Sequence, residues 1–150
     1  MIVADQSEVV SFLSEPDNWG DKVASVDKIE THGSIVFLGG DRALKMKRAV
    51  KYDYMDFSSL RRRRQCCEAE LAINRRTAPM LYQCLRRITR ETNGRLTLDG
   101  NGEVVDWLVQ MARFEQDFLF DQLAETGKLT ASFIEHLGVT IAVFHRQAEI

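Results

Sequence analysis

Lys45 and Lys47 stand two residues apart in the run Ala43-Leu44-Lys45-Met46-Lys47, and that spacing is the first chemical signal in the chain. Side chains alternate along a strand, so a strand here puts Ala43, Lys45 and Lys47 on one face and Leu44 and Met46 on the other. A small residue followed two positions later by an ammonium group suits a surface on which a purine lies flat while the lysine reaches phosphate oxygens. An exposed edge strand with solvated lysines has the same spacing. A lysine with that task needs a carboxylate to hold it, and Glu70 is the candidate. At about 100° per residue, Glu70 shares a helix face with Cys66, Cys67, Leu71, Ile73, Thr77 and Ala78, whereas Glu68 projects with Arg61, Arg64 and Arg75. A carboxylate in an apolar stripe is costly unless paired. Lys45 is the partner expected from elsewhere in the fold; Arg63 or Asn74 is the alternative on the same helix.

Two backbone segments carry weaker signals. Thr31-His32-Gly33-Ser34 joins two β-compatible runs, and its glycine, hydroxyls and backbone N–H groups suit a phosphate cradle, although a plain hairpin turn explains the same residues. Trp107-Leu108-Val109-Gln110-Met111-Ala112 reads as a strand leaving a sheet, with backbone groups for the edge of a planar base, or simply as a buried strand. His32 reads as a loop histidine, and His136 and His145 lack the i, i+4 interval of a metal pair. Cys66, Cys67 and Cys84 have no C-x-x-C spacing and read as small hydrophobes. Arg61 to Arg64 fan through about 300° of a helix and cannot form one basic face. With 20 Lys+Arg against 22 Asp+Glu and a net charge of −2, nucleic acid is not an expected partner.

The elements that must position these groups follow from the change of period along the 150 residues. Asp5, with Glu8 as its box partner, is expected to cap a short helix whose apolar face is Val9, Val10, Phe12 and Leu13. Residues 26–31, 34–38 and 42–50 read as strands, with Gly39-Gly40-Asp41 as a tight turn. A long helix is expected over 59–78, stopped by Pro79. Strands follow at 81–89, 95–98 and 104–111, separated by Asn93-Gly94 and Asp99-Gly100-Asn101-Gly102. Helices then cover 118–125 and the stretch after Thr130, where Phe133, Ile134, Leu137, Ile141 and Phe144 recur at three- and four-residue intervals. The expectation is α+β: an antiparallel sheet of about five strands carrying one long helix, followed by helices. The last stripe still runs at Ile150, which predicts a fragment or a first lobe. No run approaches the ~18 apolar residues of a membrane helix, and no secretory signal opens the chain, so the cytoplasm is the expected location, without a membrane partner.

The stretch over 29–82 contains Glu30-Thr31-His32-Gly33-Ser34-Ile35-Val36-Phe37-Leu38, Gly40-Asp41-Arg42-Ala43-Leu44-Lys45, Tyr54-Met55-Asp56-Phe57-Ser58 and Glu68-Ala69-Glu70-Leu71-Ala72-Ile73-Asn74-Arg75-Arg76. It resembles bacterial proteins described as aminoglycoside phosphotransferase family enzymes, whose fold is protein-kinase-like, and the similarity continues through Val105-Asp106-Trp107 to Phe144-His145. The resemblance implies an N-terminal helical segment over 1–25, a kinase-like small lobe over 26–114 and the incomplete start of a helical large lobe over 115–150. It implies ATP as the nucleotide, with Lys45 toward the α- and β-phosphates, Glu70 as its partner, Ser34 beside the phosphates, Ala43 against the purine, and the backbone of Gln110, Met111, Ala112 and Arg113 near the adenine edge. It also implies Mg²⁺ with ligands outside this chain, a small-molecule acceptor hydroxyl, and a missing C-terminal lobe carrying a His-Gly-Asp type loop. No His-Gly-Asp occurs in these residues. The chain by itself is therefore expected to be inactive, as the ATP-binding portion of a phosphotransferase. Proteins of this type often carry a further P-loop ATPase or kinase domain, of which this chain shows nothing. The other expectation is a non-catalytic nucleotide- or partner-binding module on the same scaffold.

Overall fold

Strands form over short runs of β-compatible residues bounded by turns. In the computed structural model, which describes residues 1–20 and 23–148, β1 (Val26–Glu30), β2 (Ser34–Gly39) and β3 (Arg42–Lys47) are joined by tight turns. A two-stranded hairpin of β4 (Lys51–Tyr52) and β5 (Met55–Asp56) leads into the helix that follows, and β6 (Tyr82–Arg90), β7 (Leu96–Leu98) and β8 (Glu103–Ala112) complete the main sheet. That sheet has six strands in the order β1-β2-β3-β8-β6-β7, antiparallel throughout, so the fold is α+β with one strand more than the expected five. The chain divides into two compact units, Met1–Arg113 and Phe114–Ile150.

In the first unit, α1 (Ser7–Ser14) and a 3₁₀ turn (Pro16–Trp19) lay Val9, Leu13 and Trp19 on one face of the sheet, against Ile35, Phe37, Leu44, Met46, Ile88 and Leu108. All nine are buried, and this is the apolar core. α2 (Leu60–Asn74) lies against β8 and β6. In the second unit, α3 (Phe120–Glu125) ends at Gly127, whose φ of +68° suits a residue without Cβ. α4 (Ala131–Gln147) is capped by Thr130, whose hydroxyl accepts from the Phe133 amide at 3.3 Å. Phe120 and Phe133 meet edge to face at 5.7 Å.

Several expected boundaries move. Gln6, not Asp5, occupies the cap position of α1; the Asp5 carboxylate accepts from the Ser7 amide at 2.8 Å, and Glu8 pairs with Arg90 instead of completing a box. β3 stops at Lys47 because Ala49 and Val50 turn to pair with the N-terminal residues: the Val3 amide donates to the Ala49 carbonyl and Ile2 bridges Val50. α2 ends at Asn74, and the chain continues to Ala78 as turns, with the Ala78 amide on the Asn74 carbonyl at 2.8 Å. Asp21 and Lys22, within the expected N-terminal segment, and Glu149 and Ile150, at the end of the expected last stripe, lie outside the described residues. Among the described residues no helix is long and apolar enough to cross a membrane.

Candidate functional site

β3 is an interior strand, hydrogen-bonded to β2 on one side and β8 on the other, so its lysines do not sit on a solvated edge. Its pleat sends Leu44 and Met46 into the apolar core and leaves Ala43, Lys45 and Lys47 on the opposite face. The register puts Leu38 and Met111 beside Ala43, Val36 and Val109 beside Lys45, and Ser34 beside Lys47. A small apolar platform thus adjoins two ammonium groups on one sheet face.

α2 supplies the counter-charge. The Ser59 hydroxyl accepts from the Arg62 amide and starts the helix. Its sheet-facing stripe is Arg63, Cys67, Glu70 and Asn74, spaced by four, three and four residues. Lys45 Nζ donates to Glu70 Oε1 at 2.7 Å, and Lys47 Nζ donates to Glu70 Oε2. The two same-helix alternatives are engaged elsewhere: Arg63 Nε donates to Asp106 Oδ1 at 2.8 Å, and Asn74 Nδ2 donates to the backbone carbonyl of Glu70. Glu68 is exposed and pairs with Arg64. Ile73, expected on the inward face, is 63 % exposed, because that stripe is polar and not the apolar one on which the expectation was centred.

The electrostatics follow from burial and partners. Burial alone would push the Glu70 carboxyl up; the hydrogen bonds and charges of Lys45 and Lys47 outweigh it and hold the group below the usual glutamate range. Burial pushes the Cys67 thiol up to about 12, so it is no nucleophile at neutral pH. Burial, followed by the Glu70 charge, also raises the Tyr82 hydroxyl.

In the 31–34 turn the Thr31 amide and hydroxyl donate to the Ser34 carbonyl, and the Ser34 amide donates to the Thr31 hydroxyl at 3.1 Å. Arg48 ties the turn from outside, its amide on the Gly33 carbonyl and its guanidinium on the Thr31 carbonyl at 2.9 Å. A Cβ at Gly33 would stand 2.7 Å from Met55 Cε, the flexible end of a side chain on the β4–β5 hairpin, so a larger residue here would require that side chain to move. His32 lies in ring contact with Tyr52 and Tyr54. Near the end of β8, Gln110 stands beside Leu44, on the sheet face opposite Lys45, and its side chain bonds Arg86 and Gln83; the Ala112 amide donates to the Leu81 carbonyl and the Arg113 amide to the Asp41 carbonyl. The Ala112 and Arg113 N–H groups considered for an adenine edge are therefore occupied within the unit.

The structure brings Ser34, Ala43, Lys45, Glu70 and Met111 to one face, and sequence reasoning missed three neighbours. Lys47 shares Glu70, for which the alternation with Lys45 was the available signal. Asp106 is fully buried and binds Arg63, whose seven-residue distance from Glu70 already places both on one helix face. Gln6, which donates to Asp106 Oδ2 at 2.6 Å, had no local signal. Two open clefts of about 540 and 730 Å³ lie along the N-terminal residues and the β4–β5 hairpin, and neither is lined by Lys45, Lys47 or Glu70.

The chain is 27% identical over 124 residues to uncharacterized proteins of Mycobacterium bovis and Mycobacterium tuberculosis, an overlap of 83% of this chain and 23% of each relative. It thus spans about a quarter of the length of the curated relatives it matches. No family model and no solved structure matches it.

Proposed function

We propose that Met1–Arg113 is a kinase-like small lobe that binds ATP, the nucleotide-binding part of an aminoglycoside phosphotransferase-like kinase that transfers the γ-phosphate to a hydroxyl of a small molecule in the cytoplasm. One observation carries the reading. Lys45 and Lys47 converge on the single carboxylate of Glu70, which leaves one positive charge uncancelled on a largely buried sheet face. The fully buried Asp106 is already paired with Arg63. A partly buried surplus cation is stabilised by an anion brought from outside, and the adjoining platform of Leu38, Ala43 and Met111 suits a flat purine. The 31–34 turn supports phosphate at this end of the face, since the His32 and Gly33 N–H groups have no partner among the described residues.

The division of labour is one of holding and orienting. Lys45 neutralises phosphate oxygens, Glu70 fixes Lys45, and α2 is fixed in turn by the Arg63–Asp106 pair. Among the described residues no group of three or more His, Cys, Asp or Glu converges to hold a metal. Phosphoryl transfer needs such ligands and an oriented acceptor besides the lysine. Titrating the full chain with Mg-ATP in a calorimeter should give weak binding, at about millimolar Kd, that Lys45→Met abolishes and Lys28→Met leaves alone. Lys28 pairs with Glu30, on the surface. Absence of binding, or binding indifferent to Lys45, would overturn the reading. An ATPase assay should show no turnover above background; turnover lost in Lys45→Ala would place the catalytic apparatus within these residues.

A further inference from the structure

The turn that offers N–H groups to phosphate is fastened by a residue outside it, and the fastening has a direction. Three peptide units make up the 31–34 turn. In each, the planar trans amide points its C=O and its N–H to opposite sides. The Thr31–His32 unit is tied through its carbonyl, which accepts from the Arg48 guanidinium at 2.9 Å. The Gly33–Ser34 unit is tied at both ends, its carbonyl to the Arg48 amide at 3.0 Å and its N–H to the Thr31 hydroxyl at 3.1 Å. The His32–Gly33 unit makes no backbone hydrogen bond among the described residues.

Resting on the nucleotide reading, we infer that Arg48 is a positioning residue: by holding the Thr31 carbonyl on one side of the turn, it presets the His32 N–H on the other, where the phosphates of the nucleotide lie. The sheet decides which side is which. Arg48 lines the cleft of about 540 Å³ together with Val10 and Ile35, and Ile35 belongs to the apolar core under α1. Lys45 and Lys47 face the other way, toward Glu70 on α2. An amide whose oxygen is drawn to the α1 side sends its hydrogen to the side of the lysines. Without the guanidinium the same unit is free to turn over, and the Thr31 carbonyl would then meet the anion with its own partial negative charge. The His32 ring, in contact with Tyr52 and Tyr54, anchors the same residue through its side chain. Arg48 thus acts through the turn and touches no phosphate itself, and the untied Gly33 N–H keeps the freedom to follow the ligand.

The test follows one amide. Mg-ATP is titrated into the isotope-labelled full chain and watched by NMR, and in the unaltered chain the His32 amide proton should move downfield as the nucleotide binds. Arg48→Met, which keeps its backbone amide on Gly33, should weaken binding about three- to tenfold, the factor by which the competent orientation is depopulated. That loss should persist in about 0.5 M salt, where charges are screened within roughly 4 Å. The nucleotide-free variant should also show microsecond-to-millisecond exchange at the His32 amide that the unaltered chain lacks, a signature that a merely structural role would not produce. Lys28→Met, which removes a surface charge of the same sign, should leave all these readings alone. Unchanged affinity in Arg48→Met, a His32 amide there without exchange, or a loss of affinity that disappears in salt would overturn the role, the last by assigning it to charge alone. A His32 amide that stays put in the unaltered chain while Mg-ATP binds would overturn it and leave the nucleotide reading standing. Failure of the unaltered chain to bind Mg-ATP would overturn both. Should Arg48→Met not fold, Arg48→Ala takes its place under the same expectations.

Discussion

The two faces of the main sheet are built on different principles. Under α1, Val9, Leu13 and Trp19 close over Phe37, Leu44, Met46 and Leu108 with little that is directional. Under α2, nearly every inward group is polar and individually matched: Arg63 with Asp106, Glu70 with two lysines, Asn74 with the Glu70 carbonyl, and Cys67 with its sulfur 3.9 Å from the Trp107 carbonyl. Burying apolar area stabilises without caring much about register, whereas a desolvated ion pair contributes little net stability but tolerates few geometries. The apolar face keeps the unit folded, and the ionic face fixes where each charge sits.

That contrast can be broken by substitution. The largest effect belongs to the apolar face: Phe37→Ala removes a fully buried ring and should cost about 3–5 kcal/mol in urea unfolding, with no electrostatic signature. Next, Arg63→Met strands the fully buried Asp106 and should cost about 3 kcal/mol, more than half of which returns in the double variant with Asp106→Leu. Equal costs for the single and double variants would mean that α2 is held by packing after all. The smallest effect sharpens the comparison through pH. The folded chain holds Glu70 below its ordinary 4.5, so the contribution of the carboxylate is fully present above that value and lost as pH falls through the lower folded one. Glu70→Gln should therefore destabilise by about 1–2 kcal/mol at neutral pH, a gap that narrows progressively below about pH 4. A gap that persists unchanged into acid would assign the cost to geometry and not to charge.

The Lys45–Glu70 pair was legible in the sequence because two local periods, two for the strand and about 3.6 for the helix, each fix a face without knowledge of the rest. The same logic puts Lys47 beside Lys45, and the second contact was missed only because one cation already satisfied the carboxylate. Arg63 was hidden by its neighbours: within four consecutive arginines only its seven-residue interval from Glu70 marks it as the inward one, and its partner Asp106 is remote in sequence. The helix face was misjudged at Ile73 because apolar residues were assumed to point inward, which fails where the sheet offers charges. Gln6 had no signal at all, since its partners Lys47, Ala49 and Asp106 are remote in sequence.

Gln6 also bears on how the first unit opens. Its amide nitrogen donates to the Lys47 carbonyl and to Asp106, its oxygen accepts from the Ala49 amide, and Asp106 passes the contact on to Arg63. A continuous run of hydrogen bonds thus leads from the first turn of α1, through β8, into α2. Local openings in a small protein follow such connections. Amides of α1 and α2 should exchange with solvent as one cooperative block, although one helix rests on hydrocarbon and the other on charge. Severing the run at Gln6 would let each helix exchange at a rate of its own.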